Sequence, residues 1–191
     1  MLKKYRIVKY IDIIHSENVS LFKQFCVMQV ILNHQQIQQK TIRLGHQIIE
    51  NCSEEKNIFI GGIIGNGYYL AKELSKIIQQ NSSINVEVFE IEIDKEEPWS
   101  KKIKLSMDEA KLKNGFIILV DDVINSGKTL QYALMKFLEQ PTKSIKTVVL
   151  VDRTHRRYPI KADYFGLGLS TTLKDRIEIE FNETDSKAYL I

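Results

Sequence analysis

Five consecutive apolar residues, Phe116-Ile117-Ile118-Leu119-Val120, run straight into two acids, Asp121 and Asp122, and nothing else in the chain limits its fold as strongly. Adjacent side chains of a strand point to opposite faces, so a strand apolar at every position must be covered on both sides. A parallel sheet with helices on both faces meets that demand. Beyond the polar stretch that ends at Lys128, residues Leu130, Ala133, Leu134, Phe137 and Leu138 mark one side of a helix that stops before Pro141. The unit reads as strand, polar turn, helix.

The same unit occurs upstream. Four of the nine glycines fall within residues 61–67, in the run Gly61-Gly62-Ile63-Ile64-Gly65-Asn66-Gly67. Ile58-Phe59-Ile60 precedes this loop as a strand, and Tyr69, Leu70, Leu74, Ile77 and Ile78 follow it at helical spacing. Val148-Val149-Leu150-Val151 is a third buried strand. Val30-Ile31-Leu32 is a further strand, with Asn33 as the N-cap of a helix whose buried stripe is Ile37, Thr41, Leu44 and Ile48. In residues 84–93 the apolar positions alternate as Ile84, Val86 and Val88, then change phase at Phe89, which predicts a bulge or an abrupt end there. Residues 94–114 form a charged excursion with one short helix around Met107–Lys113, and Ile177, Ile179 and Phe181 alternate as a strand with one wet face.

The fold class is therefore α/β: a mostly parallel central sheet with helices on both faces. At 191 residues, against a prior of roughly 150 per domain, one domain is expected. Lys+Arg 27 against Asp+Glu 24 gives a net charge of +3, too slight to demand nucleic acid or to exclude it. No run approaches the ~18 unbroken apolar residues of a membrane span, and no secretory signal is visible, so a cytoplasmic protein is expected. The two cysteines, Cys26 and Cys52, lack metal spacing and are read as free thiols.

Ligands of open parallel sheets bind beyond the carboxyl ends of the strands, where both polar turns lie. Ser126-Gly127-Lys128-Thr129 invites a Walker A reading, but that motif needs a glycine at the position of Asp122. A carboxylate there is electrostatically wrong for a triphosphate. A phosphate monoester fits better: Asn125 to Thr129 form a turn at a helix N-terminus, whose free N–H groups, hydroxyls and dipole favour an anion. Asp121 and Asp122 then stand one sugar's length away, able to accept hydrogen bonds from ribose hydroxyls and to coordinate Mg²⁺ directly or through water. This describes a ribose 5-phosphate site.

The segment Val120-Asp-Asp-Val-Ile-Asn-Ser-Gly-Lys-Thr129 resembles the PRPP-binding signature of type I phosphoribosyltransferases. A second segment, from Leu150 to Gly166 (Leu-Val-Asp-Arg-Thr-His-Arg-Arg-Tyr-Pro-Ile-Lys-Ala-Asp-Tyr-Phe-Gly), resembles the PyrR family, pyrimidine-operon attenuators that are also uracil phosphoribosyltransferases. The helix from Asn33 to Glu50, with Arg43 and His46, is similar to that family's first helix. The likeness runs from about residue 28 to the end. Residues 1–27 are expected to be an extension outside it, or the product of a misplaced start codon.

The resemblance implies the type I phosphoribosyltransferase fold with a flexible lid, and displacement of pyrophosphate from C1 of PRPP by a base nitrogen, with Mg²⁺ as cofactor. It gives Asp121 and Asp122 the ribose hydroxyls and the metal, and Asn125, Ser126, Gly127, Lys128 and Thr129 the 5′-phosphate. Gly62, Ile63, Ile64, Gly65, Asn66 and Gly67 correspond to the pyrophosphate loop, and residues 94–106, with Lys95, Trp99, Lys101 and Lys102, to the lid. Asp152 and Arg153 fall at the base pocket. Asp152 is an acceptor suited to the uracil N3–H, the alternative being a strand-end turn residue, and Trp99 is a candidate to cap the base.

Two departures from the family pattern stand out. Ile64 and Asn66 replace the two pyrophosphate-loop cations, leaving backbone N–H groups, the Asn66 amide and the lid lysines Lys95, Lys101 or Lys102 to compensate. The outward face of the first helix is rich in glutamine, with Lys40 and Arg43 as its cations, which is thin for an RNA backbone. The basic run Arg153, His155, Arg156, Arg157 and Lys161 flanks the active site or RNA, or is a solvated turn. Two functions follow: a uracil phosphoribosyltransferase forming UMP in pyrimidine salvage, or a PyrR-like sensor of UMP or PRPP that regulates pyrimidine genes through RNA. Family members assemble as homodimers or larger.

Overall fold

The computed structural model describes residues 28–154, 156–172 and 175–191. The expectations for residues 1–27, Cys26 and His155 lie outside the described residues. The chain orders as β1 (Gln29–Leu32), α1 (His34–Asn51), β2 (Asn57–Ile63), α2 (Asn66–Asn81), β3 (Asn85–Glu92), β4 (Lys104–Leu105), β5 (Phe116–Ile124), α3 (Lys128–Phe137), β6 (Ser144–Arg153), β7 (Tyr164–Leu169), β8 (Ile177–Glu180) and β9 (Lys187–Leu190). A six-stranded sheet has the order β4-β3-β2-β5-β6-β7, and a separate three-stranded sheet has the order β1-β9-β8. In the large sheet all pairings are parallel except β3 with β4. The α/β class read from the sequence holds.

Strand β5 shows why. Ile118 and Val120 pack with Leu44 and Ile48 of α1 and Leu70 and Leu74 of α2, while Ile117 and Leu119 pack with Leu130, Ala133 and Phe137 of α3. All four β5 side chains are fully buried. Such burial stabilises by about 1.5–3 kcal/mol per large aliphatic side chain. The Asn33 cap forms as expected, its side chain accepting from the Gln36 N–H and the Gln36 side chain accepting from the Asn33 N–H, each at 2.9 Å.

Two expectations are corrected, and two elements take a form that the sequence left open. Strand β3 has no bulge: it pairs with β2 residue for residue from Asn57↔Asn85 to Ile63↔Ile91. The phase change at Phe89 is a change of face, with Val86 and Val88 packing on the α1–α2 side and Phe89 and Ile91 on the α3 side. The Val30 strand does not join the main sheet but pairs with β9 from the far end of the chain. Leu138 caps α3 and is 62% exposed rather than apolar-side core. The excursion holds β4 and, within the span expected to be helical, a short 3-10 helix at Glu109–Leu112.

Cys52 is a buried free thiol, pushed up to about 11 first by burial and then by Glu55. Among the described residues no helix is long and apolar enough to cross a membrane.

Candidate active site at the strand ends

A cavity of about 720 Å³ opens at the carboxyl ends of β5 and β6. It brings together Asn66, Lys95, Asp121, Asp122, the whole run Asn125–Thr129 and Arg153.

Both acids belong to β5, which continues in register with β6 as far as Ile124↔Asp152. Asp121 is 4% exposed, and its Oδ1 accepts from the Asp122 N–H at 2.9 Å and lies 3.7 Å from the Lys95 ammonium. Burial holds its carboxyl well above the usual aspartate range, the neighbouring Asp122 adds to the rise, and Lys95 opposes it. Asp122 Oδ2 accepts from the Asn66 amide at 2.8 Å, and its Oδ1 from the Val123 N–H at 3.0 Å. Gly67 lets α2 approach this closely: a Cβ there would lie 2.8 Å from the Val120 carbonyl oxygen and 3.0 Å from the Asp121 Cα.

The β5–α3 turn has the form of an anion cradle. Gly127 caps α3 with φ +83°, a left-handed conformation that glycine adopts without strain. Ser126 Oγ accepts from the Lys128 N–H at 3.2 Å, and the N–H groups of Thr129 and Leu130, in the first turn, have no intrahelical acceptor. The turn is braced from outside, since the Arg157 and Tyr158 N–H groups both donate to the Ser126 carbonyl. The Lys128 ammonium is taken up by residues 94–106, donating to the Glu96 carbonyl and sitting 5.4 Å from the centre of the Trp99 ring. The side chain of Asn125 is also turned aside: it exchanges hydrogen bonds with the backbone of Ile177, each at 3.3 Å.

The remaining candidates divide. Gly62 and Ile63 belong to β2 and Gly67 to α2, which leaves a turn of only Ile64 and Gly65, and none of these five lines the cavity. Both donor contacts of the Asn66 amide are internal, so it is not the free pyrophosphate donor that the sequence suggested. Asp152 also stays out of the lining. It is 4% exposed, its carboxyl raised by burial against the opposing charges of Arg156 and Lys161, and its Oδ2 lies 3.2 Å from the Arg156 guanidinium. It is neither in the cavity wall nor in a turn: it lies within β6, one residue before the strand ends. Arg153 does face the cavity, held by Thr171 and Thr172.

From the lid, Lys95 alone among the predicted residues reaches the cavity. Asp94 sets the turn that aims it, accepting from the N–H groups of Glu96 and Glu97 at 3.0 Å. Trp99 stands 6.1 Å from Tyr132 on the outer side of α3, and Lys101 and Lys102 line a separate cavity with Tyr132 and Met135. Arg157, from the basic run that the sequence offered as a flank of the active site, lines the cavity, while the wall formed by residues 175–179 was missed. Its alternation marked β8 as a strand, but no local signal says that its edge faces these turns.

The model of the phosphoribosyl transferase domain matches residues 28–181. The bifunctional protein PyrR of Bacillus cereus (strain AH820) is 34% identical over 170 residues, covering 83% of this chain and 93% of that protein; PyrR of Bacillus thuringiensis subsp. konkukian (strain 97-27) matches to the same extent. Among solved structures, the hypoxanthine phosphoribosyltransferase of Trypanosoma cruzi superposes with a TM-score of 0.67 at 15% identity, over 84% of this chain and 95% of that one. A hypoxanthine-guanine phosphoribosyltransferase of Bacillus anthracis gives 0.61 at 22% identity, over 73% and 81%. At these identities the structures speak for the fold alone. With the domain model and the PyrR likeness covering most of its length, the chain belongs to the phosphoribosyltransferase family and is PyrR-like within it.

Proposed function

We propose that the protein transfers the ribose 5-phosphate unit of PRPP to uracil, forming UMP and pyrophosphate. The observation that carries this reading is the single cavity in which paired carboxylates and an anion-cradling turn lie side by side. The 5′-phosphate sits on the Ser126–Thr129 turn and the ribose hydroxyls on Asp121 and Asp122. The base lies toward Arg153 at the end of β6. The bond from C1 to the pyrophosphate oxygen breaks as the bond from C1 to the base nitrogen forms, while residues 94–106 exclude water from the cationic centre.

The donor set suits Mg²⁺, which takes one or two carboxylates and completes its shell with substrate oxygens and water. Asp121 and Asp122 are the carboxylates, and among the described residues no cluster of three or more acidic, histidine or cysteine ligands would hold the ion without substrate. Bound there, Mg²⁺ would neutralise charge on the departing pyrophosphate. Uracil is favoured by the PyrR likeness and by Asn125, which cannot ionise to manage a purine proton.

Incubation with radiolabelled uracil, PRPP and Mg²⁺ tests the reading, with labelled UMP as the expected product. A preference for hypoxanthine over uracil would overturn the base assignment.

The turn without cations at Ile64 and Asn66 favours a second reading, a sensor with weak or no turnover. Absence of product together with thermal stabilisation by UMP would establish it. RNA binding through α1 has little support, because Lys40 and Arg43 both donate to the Gly166 carbonyl, at 3.0 and 2.7 Å.

A further inference from the structure

We infer that Asn66 and Asn125 are positioning residues that fasten the free edge of β8 to the substrate site, and that Asn66 serves the ribose grip rather than pyrophosphate. The inference rests on the proposed ribose 5-phosphate reading of the cavity.

Strand β8 is the outer strand of the small sheet, paired to β9 on one side only. Arg176 exchanges backbone hydrogen bonds with Ile191 at 2.8 Å in each direction. Backbone groups alternate in direction along an antiparallel pair, so those of Ile177 and Ile179 face the opposite way, toward the cavity. An edge of unpaired N–H and C=O groups either finds partners or stays hydrated and mobile. Here the partners are side-chain amides. Asn125 meets both groups of Ile177, donating to its carbonyl and accepting from its N–H, as a neighbouring strand would. Asn66 donates to the Ile179 carbonyl at 2.8 Å.

The second Asn66 hydrogen bond couples this edge to the chemistry. The same amide nitrogen donates to Asp122 Oδ2 at 2.8 Å, so one side chain sets both the rotamer of a ribose-gripping acid and the position of the opposite wall. A primary amide has two N–H groups, and both have acceptors, which leaves none for a pyrophosphate oxygen. Asn66 is also the first residue of α2, held by the close packing of that helix on β5, so its amide is aimed by backbone rather than by a flexible stem. The Tyr69–Phe181 stack, 4.7 Å between ring centres, secures the far end of β8 independently. Loss of the Asn66 amide therefore loosens the edge without unfolding the sheet.

Three variants, Asn66→Ala, Asn66→Asp and Asn125→Ala, test this. They are measured by hydrogen–deuterium exchange of the 177–180 segment and by calorimetric titration with ribose 5-phosphate and with magnesium pyrophosphate. Asn66→Ala should speed exchange across β8, leave β6 unchanged, and weaken ribose 5-phosphate by about tenfold, the size of one lost hydrogen bond to a charged group. Pyrophosphate affinity should fall less. Asn66→Asp, the same size but a carboxylate facing a carboxylate and a carbonyl, should be worse than Ala in both measurements. A pure packing role predicts the reverse order. Asn125→Ala should speed exchange at Ile177 with a smaller loss of affinity, its bonds being longer.

Unchanged β8 exchange in both alanine variants, an aspartate no worse than alanine, or a larger loss for pyrophosphate than for ribose 5-phosphate would each overturn the inference. If the wild-type protein binds no ribose 5-phosphate, the proposed function falls, while the exchange data still decide whether the asparagines hold β8.

Discussion

The turns after β2 and β5 are built on one plan and equipped differently. Each follows a buried strand, opens a helix and stands at the carboxyl edge of the same parallel sheet. The β5–α3 turn keeps what an anion needs: a left-handed glycine, a hydroxyl folded into the turn and free N–H groups in the first helical turn. The β2–α2 turn presents Ile64 to solvent at 40% exposure and turns its one polar side chain, Asn66, inward to Asp122 and β8. A fold supplies backbone donors wherever a helix begins, but cations come only from side chains. Among the described residues, the cation beside the paired acids comes from another segment: Lys95, which follows β3, lies 3.7 Å from Asp121 Oδ1.

The largest effect should come from the acids both turns flank. On the proposed reading Asp121→Asn removes a charge that serves the ribose and Mg²⁺, and kcat/KM should fall by about 10²–10³-fold, the range for loss of one preorganised electrostatic group. Stability should move the other way. Because burial raises the Asp121 carboxyl in the folded state, the wild-type group favours folding below its ordinary value of 3.8 and loses that contribution as pH rises through the raised value. The gap in Tm between the variant and the wild type should therefore be absent at acid pH and widen toward pH 8, with the variant the more stable. Thermal melts across pH check this, and an equal gap at every pH would refute the account.

Next in size are substitutions that separate the two turns. Lys95→Ala should weaken magnesium pyrophosphate by about tenfold, a charge-assisted contact reduced by its partial exposure, with ribose 5-phosphate nearly unchanged. Gly127→Ala should do the opposite, since the new Cβ must take φ +83° and would lie 2.8 Å from Ile160 Cγ2, distorting the phosphate turn alone. Paired titrations of both ligands read this as a crossover. Parallel losses in both variants would mean that the turns act as one site.

The sheet was legible where burial is continuous. The apolar run of β5, the Ile37–Thr41–Leu44–Ile48 stripe and the Asn33 cap are local patterns that any apolar cover or, for the cap, the next turn of chain satisfies, whichever distant element supplies the cover. The β5–α3 turn was legible for the same reason, since Gly127 shapes it through its own backbone and Ser126 through an Oγ that accepts from the Lys128 N–H. What sequence could not carry was the choice of a distant partner. Val30-Ile31-Leu32 is apolar like any buried strand, yet Val30 pairs with Tyr189 of β9. Asn66 lies 56 residues from Asp122 and 113 from Ile179, and nothing in its neighbourhood says which acceptor its amide will find. Asp152 was read by its position at a strand end, and Arg156, four residues on, draws its carboxylate inside.

The smallest predicted effect bears most directly on the contrast between the turns. Ile64→Lys restores a cation at an exposed position where no contact must be broken, so stability should change by no more than about 0.5 kcal/mol. If pyrophosphate lies against the β2–α2 turn, its affinity should rise by about threefold to tenfold at low ionic strength and lose most of that gain in high salt, because an exposed pair is screened within about 10 Å at 0.1 M. Ribose 5-phosphate, which the proposed reading assigns to the other turn, should be indifferent. The gain should also persist in Lys95→Ala, since the two cations would approach the same ligand from different elements. A lysine at position 64 that leaves pyrophosphate unaffected at low salt would move that ligand away from the β2 turn and leave Lys95 as its principal cation.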